Sequence, residues 1–113
     1  MRHQECAEYS KHLSTLIGKL KEELRGPAED FGSSHSPTIT DGVLRKKYKE
    51  LIAIGISIST TGCEGCIDFH VHDALKAGAT SEEIIETIGV AMLIGGRPAH
   101  MYGLEALAAI EQY

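Results

Sequence analysis

The sequence has no tryptophan, and aromatic residues make up only 5% of its 113 residues. No apolar run is long enough to cross a bilayer, and the first residues, MRHQECAEYSKH, lack the apolar core of a signal peptide. Lysine and arginine form no long run and the net charge is −5, so the usual electrostatic signature of nucleic-acid binding is missing. These absences predict a cytoplasmic protein that binds neither membrane nor nucleic acid and has a core of small aliphatic side chains.

Cysteine is also scarce, with three residues in the chain. An odd number does not suit the disulfide framework of a secreted domain, whereas a close pair in a reducing compartment is typical of redox or metal chemistry. The remaining composition, 42% hydrophobic and 24% charged, is that of an ordinary globular protein. We therefore expect a single domain over residues 1–113, with an N-terminal helix and connector in 1–40 and a core in 41–113.

Apolar residues recur at spacings of three and four from about Tyr9 to Leu24, which is typical of an amphipathic helix. Gly26 and Pro27 end this helix, and the chain up to Gly42 is rich in Gly, Pro, Ser and Asp. Such a composition predicts a connector within the domain.

Helical signals return in the second half of the chain. Thr80 and Glu83 form the sequence of a capping box and predict a helix that starts after Thr80. The glycine pair 95–96 ends it, and Pro98 suits the first turn of a last helix that ends near Tyr113. The whole sequence predicts about five helices.

The segment VLRKKYKELIAIGISIST, residues 43–60, carries two conflicting signals. Four isoleucines at alternate positions, from Ile52 to Ile58, follow the period of a strand, and the pattern alone favours a strand. The segment is long for a strand, however, and its first half consists of good helix formers. A helix here would be apolar on all sides and would have to be buried, for instance in an oligomer.

The stretch TTGCEGCIDFHVHDALKAG, residues 60–78, combines two cysteines and two histidines. If a helix begins at Cys63, then Cys63, Cys66 and His70 lie within about 60° of one another on one face, and His72 points to the opposite side. The same face continues through small or apolar residues: Ile67, Ala74 and Ala77. The pattern predicts a dithiol in a packed crevice.

Residues three apart on a helix have the Cα separation that a disulfide requires, so Cys63 and Cys66 can close a bridge without moving the backbone. The N-terminal end of a helix favours a thiolate, and His70 can transfer a proton to or from the sulfur one turn earlier. A carboxylate at Glu64 disfavours the thiolate. A metal site remains an alternative, although zinc usually takes four ligands and the chain has no second pair.

Four other candidate residues have no further reactive residues at a suitable spacing, and a structural role is favoured for them: Cys6, His35, His72 and His100. The sequence predicts no bound metal, flavin or other cofactor. The reactive set is therefore restricted to the dithiol and one histidine.

Three stretches resemble the AhpD-like proteins, a family that includes alkylhydroperoxidases and carboxymuconolactone decarboxylases. They are KELIAIGISIS from Lys49, GCEGCIDFHVHDALKAGATSEEI from Gly62, and GGRPAHMYGLEAL from Gly95. The resemblance implies an all-α fold that assembles as trimers or hexamers, with the dithiol in a buried crevice. It also implies that LIAIGISI is a buried helix.

The resemblance further implies that Cys66 attacks a hydroperoxide, Cys63 resolves the product into a disulfide, and His70 and Glu50 form a proton relay. Two features depart from the family pattern. Glu50 precedes Cys63 by thirteen residues, one more than expected, and Gly65 stands where some members have a histidine.

The sequence thus predicts a thiol–disulfide oxidoreductase that takes a hydroperoxide or disulfide substrate and is regenerated by an external thiol reductant. One alternative is an acid–base enzyme like the carboxymuconolactone decarboxylases, with His70 transferring protons, although that branch typically lacks the dithiol. Another alternative is a non-enzymatic redox-sensing or metal-binding module.

Overall fold

The structure is a computed structural model that describes residues 3–27 and 37–113, with side chains from Glu8 onward in the first range. Five α-helices and one π-helical segment account for most of these residues: α1 His3–Glu23, α2 Lys46–Ile56, the π-helical segment Ser57–Thr61, α3 Glu64–Lys76, α4 Ser81–Gly95 and α5 Arg97–Gln112. The described ranges contain no strand, which confirms the predicted all-α class.

Helix α1 begins at His3, six residues before the predicted start near Tyr9. It ends at Glu23, one residue before the predicted end at Leu24. Much of its apolar face stays exposed, including Ile17 and Leu20. Two candidate residues of the N-terminal region, the Cys6 side chain and all of His35, lie outside what the structure describes.

The isoleucine-rich segment is helical, so the strand favoured by its pattern is wrong and the helix implied by the family resemblance is confirmed. Ile54 and Ile58 are four residues apart, face the same side of the helix and are fully buried. Ile52 and Ile56 are 50% and 51% exposed, so the expected complete burial does not hold within a single chain. The alternating pattern arises because apolar residues occupy both sides of a helix.

Helix α3 packs against both α2 and α5, and the core forms around it. The core side chains are small or branched aliphatic groups: Ile54, Ile58, Ile67, Val71, Ala74, Ala79, Ile84, Ala91, Ala99, Ala106 and Ala109. None of them is aromatic, as the low aromatic content predicted. The many alanines allow the helices that carry the reactive residues to approach closely.

The predicted capping box is present at the start of α4. The backbone N–H of Thr80 donates to Glu83 Oε1 over 2.8 Å, and the N–H of Glu83 donates back to Thr80 Oγ1 over 3.1 Å. Pro98 lies in the first turn of α5, also as predicted. Among the described helices, none combines the length and the apolar composition that a bilayer span requires.

Candidate functional site

The two cysteines of the CEGC motif lie where the chain enters α3. Gly62, just before them, has a φ of +59°, a left-handed conformation that glycine adopts without strain. A Cβ at this position would also lie 2.8 Å from a ring carbon of Tyr102, so both the backbone and the neighbouring side chain require glycine. The turn at Gly62 therefore places Cys63 directly at the start of the helix.

Cys63 is the N-cap of α3 rather than its first helical residue, which corrects the predicted helix start by one position. Its Sγ accepts a hydrogen bond from the backbone N–H of Cys66 over 3.1 Å. The two cysteines form a disulfide with a Cα separation of 5.2 Å. The sulfur of Cys63 thus occupies a position where backbone N–H groups without helical partners favour a thiolate after reduction.

The two sulfur-bearing residues differ in exposure. Cys63 is partly buried, whereas Cys66 is exposed in the single chain. The predicted packed crevice is therefore wrong for an isolated chain on the Cys66 side. Ile67 and Ala74, which continue the same face, are fully buried as expected, and Ala77 is partly buried.

His70 lies one helical turn after Cys66 and makes a short contact with Glu50 of α2. Its Nδ1 is 2.7 Å from Glu50 Oε1, and the Glu50 side chain is 0% exposed. With the proton on Nδ1, the imidazole donates to the carboxylate and presents Nε2 as the nitrogen that exchanges protons. The sequence left open whether Glu50 reaches His70, and the fold brings the two side chains into direct contact.

The second carboxylate oxygen of Glu50, Oε2, is buried and has no hydrogen-bond partner among the described residues. A buried carboxylate with one partner is costly unless an opposite charge develops next to it. The His70 imidazole is the group beside the Glu50 carboxylate that could supply such a charge.

The opposite side of α3 carries a second polar cluster that the sequence did not predict. The Tyr113 hydroxyl donates to the buried Asp68 carboxylate, 3.2 Å from Oδ2, and the Tyr113 ring stacks on His72 at a centroid distance of 4.2 Å. Burial raises the pKa of Asp68 above its ordinary value, although hydrogen bonds from Tyr113 and Ser10 and the nearby His72 oppose this shift. Asp68 and Tyr113 are 45 residues apart, so no local spacing could have indicated their contact.

The remaining described candidates are His72 and His100. His72 stacks on Tyr113, and His100 is exposed on α5. Within residues 8–27 and 37–113, no group of three His, Cys, Asp or Glu side chains is arranged to hold a metal ion. The described site consists of the cysteine pair, His70 and Glu50.

The sequence matches the carboxymuconolactone decarboxylase family over residues 33–109. A solved protein of that family from Legionella pneumophila, in its apo form, is 38% identical with a TM-score of 0.90, and the match covers 96% of each chain. A protein of unassigned role from Cupriavidus necator is 40% identical over 96 residues, which are 85% of this chain and 84% of that protein. These similarities extend over nearly the whole described fold.

A shorter match points to a named enzyme. Alkyl hydroperoxide reductase AhpD of Nocardia farcinica is 37% identical over 60 residues, which are 53% of this chain and 33% of the reductase. The similarity is thus partial in both proteins.

Proposed function

The chain belongs to the carboxymuconolactone decarboxylase family, and we propose that it acts as a thiol–disulfide oxidoreductase that reduces hydroperoxides through Cys66 and Cys63. The observation that carries this proposal is the Cys63–Cys66 disulfide at the start of α3, with His70 one turn later and bound to the buried Glu50. A cysteine pair, a proton-transfer group and a buried counter-charge are the parts that two-electron peroxide reduction needs.

In the first step, the Cys66 thiol passes its proton to His70, and the thiolate attacks the terminal oxygen of the hydroperoxide ROOH. An S–O bond forms and the O–O bond breaks, so Cys66 becomes a sulfenic acid. The leaving alkoxide takes the proton from His70 and departs as the alcohol ROH. The peroxide gains two electrons and the sulfur loses two.

In the second step, the Cys63 thiolate attacks the sulfur of Cys66. An S–S bond forms, the S–O bond breaks, and the hydroxide that leaves takes up a proton and becomes water. The Cα separation of 5.2 Å lies within the range that disulfides require, so the backbone need not move. An external dithiol then reduces the disulfide by exchange and restores both thiols.

Glu50 acts on this cycle through His70. Its carboxylate is fully buried and 2.7 Å from Nδ1, so it orients the imidazole and stabilises the imidazolium that forms while Cys66 is a thiolate. Because Cys66 is exposed in the single chain, hydroperoxides and a reducing protein can both approach its sulfur.

A homo-oligomer is also part of the proposal. A groove of about 320 Å³ between α2 and α4 is lined almost entirely by apolar residues. Two of its lining side chains are largely exposed, Val90 at 64% and Ile94 at 74%. Apolar patches of this kind usually mark association surfaces, and further copies of this chain would cover them.

Stopped-flow oxidation of the reduced protein by a hydroperoxide tests the proposal. We expect the parent to consume one equivalent of peroxide with formation of the Cys63–Cys66 disulfide, and Cys66→Ser to lose this reaction. The matched variant Cys63→Ser should still react once and stop at a sulfenic acid, which dimedone traps. If Cys66→Ser consumes peroxide as fast as the parent, the role of Cys66 is refuted.

A further inference from the structure

Helix α1 lies directly against the reactive turn at Gly65, the residue before Cys66. A Cβ built on Gly65 would lie 2.9 Å from Leu13 Cδ1 and 3.6 Å from the Tyr9 hydroxyl oxygen. Gly65 lies in the first turn of α3 and its φ is not positive, so its backbone does not require glycine. Alanine is a better helix former than glycine, and the contact that an alanine here would have to displace is the end of the Leu13 side chain.

A polar side chain of α1 also lies near α3 at this place. Ser10, one residue after Tyr9, is close enough to Asp68 to lower the pKa of its carboxyl. Beyond this point the apolar residues of α1 are poorly covered, and Leu16, Ile17 and Leu20 are 43–51% exposed. Among the described side chains of α1, the stretch from Tyr9 to Leu13 thus contacts the reactive helix.

This contact places an apolar side chain against Gly65, the residue before Cys66, and Cys66 is exposed in the single chain. Leu13 covers the backbone of Gly65 on one side of Cys66. Phe69 lies one turn after Cys66 on a neighbouring part of the helix surface, and its side chain is 48% exposed. Leu13 and Phe69 together form a surface that we call the α1 platform.

We propose that the α1 platform binds the organic substituent of a hydroperoxide while its terminal oxygen faces Cys66, so that Leu13 is a specificity-determining residue. The proposal rests on the peroxide-reducing function proposed above. When the sulfur attacks the terminal oxygen, the substituent R must extend away from the sulfur over the neighbouring surface, and apolar contact there favours an apolar R. Hydrogen peroxide has no substituent and gains nothing from the platform.

The first experiment compares cumene hydroperoxide with hydrogen peroxide in the stopped-flow assay. We expect Leu13→Ala to lower the rate constant for cumene hydroperoxide about fivefold, since it removes several apolar carbons from the contact, and to change the rate for hydrogen peroxide less than twofold. Leu20→Ala is the matched control, because Leu20 is the same residue type about 10 Å further along α1. Equal losses with both peroxides, or the same loss in Leu20→Ala, would overturn the platform.

A second measurement separates the platform from the peroxidase function. In a Cys6→Ser, Cys63→Ser background, Cys66 is the only thiol and can be titrated with N-phenylmaleimide and N-methylmaleimide, which differ in their apolar substituent. We expect Leu13→Ala to reduce the preference for the phenyl reagent about fivefold. Loss of this preference in a protein that reduces no peroxide would support the platform and refute the peroxidase function. An unchanged preference in an active peroxidase would refute the platform alone.

The Gly65→Ala variant tests the contact from the other side. Its methyl group would push the flexible end of Leu13 away from the turn, so we expect the same loss of phenyl preference as in Leu13→Ala. The double variant should lose no more than either single variant, because both act on one contact. Additive losses would contradict the proposal, and circular dichroism checks that every variant keeps its helices.

Discussion

Helix α3 carries two histidines two residues apart, and their surroundings differ. His70 contacts Glu50, a fully buried carboxylate on another helix, on the side of the helix that carries the cysteines. His72 stacks on Tyr113, whose hydroxyl donates to Asp68 on the opposite side. Both clusters contain a histidine and a buried carboxylate, and His70 follows Cys66 by one helical turn.

The two clusters distribute hydrogen bonds differently. The Asp68 carboxylate faces two fixed hydroxyl donors, Tyr113 and Ser10, which only partly offset the rise in its pKa that burial causes. Glu50 makes one contact through Oε1, and its Oε2 has no hydrogen-bond partner among the described residues. A carboxylate surrounded by fixed donors stabilises the packing of helices, whereas one that faces a titratable group can respond to a proton transfer.

The largest expected effect separates the two histidines. Replacing His70 by alanine removes the group that accepts the Cys66 proton and returns it to the alkoxide, so the rate of peroxide oxidation should fall about 100-fold. His72→Ala is the matched control and should change the rate less than twofold, because His72 contacts Tyr113 and not the dithiol. Stopped-flow measurements at one pH compare the two directly. Comparable losses would mean that the two sides of α3 are not functionally distinct.

A smaller effect separates the two carboxylates. Glu50→Gln keeps the shape and an oxygen that can accept from Nδ1 but removes the negative charge, so we expect the oxidation rate to fall about tenfold. Asp68→Asn makes the same chemical change on the other side and should leave the rate within a factor of two. A fully active Glu50→Gln would show that Glu50 only orients His70. Thermal unfolding of both variants checks that the difference does not reflect loss of fold.

The smallest expected effect concerns stability at acidic pH. Burial raises the pKa of Asp68 above its ordinary value of 3.8, so the folded protein holds this proton to a higher pH than the unfolded chain does. The contribution of Asp68 to stability is therefore largest at low pH and declines as the pH rises through the raised pKa.

Asp68→Asn has no group that titrates at this position, so its free energy of unfolding should increase relative to that of the parent between pH 3.5 and 5.5. Urea denaturation at both pH values measures this change, which should favour the variant at the higher pH. The same measurement on Glu50→Gln shows how the free energy of unfolding depends on pH when the carboxylate that contacts His70 is replaced instead. A constant difference between Asp68→Asn and the parent over this range would argue against a raised pKa.

The sequence predicted best what depends on neighbouring residues along one helix. The common face of Cys63, Cys66 and His70 was predicted from helical geometry, and the structure has Cys66 and His70 within one helix and Cys63 as its N-cap. The capping box at Thr80 is equally local. The catalytic roles of these residues stay predictions until they are measured.

Contacts between distant parts of the chain were harder to predict from the sequence. The isoleucines at alternate positions indicated a strand where the structure has a helix. A helix with apolar residues on two sides gives the same alternating pattern, and the sequence does not show whether other helices pack on both sides. Glu50 became a candidate only through the family resemblance. The contact of Tyr113 with Asp68 and that of Leu13 with Gly65 depend on how separate helices dock, and no spacing along the chain indicates them.

The π-helical segment Ser57–Thr61 bears on how the length of the chain can vary near this site. A π-helical turn holds one residue more than the α-helical turn that it replaces. Glu50 lies before this segment and Cys63 after it, and their separation is one residue longer than the family pattern implies. One residue inserted into a regular helix rotates every following side chain by about 100°, whereas a π-helical turn can hold an extra residue. The contact between Glu50 and His70 is present at this longer spacing.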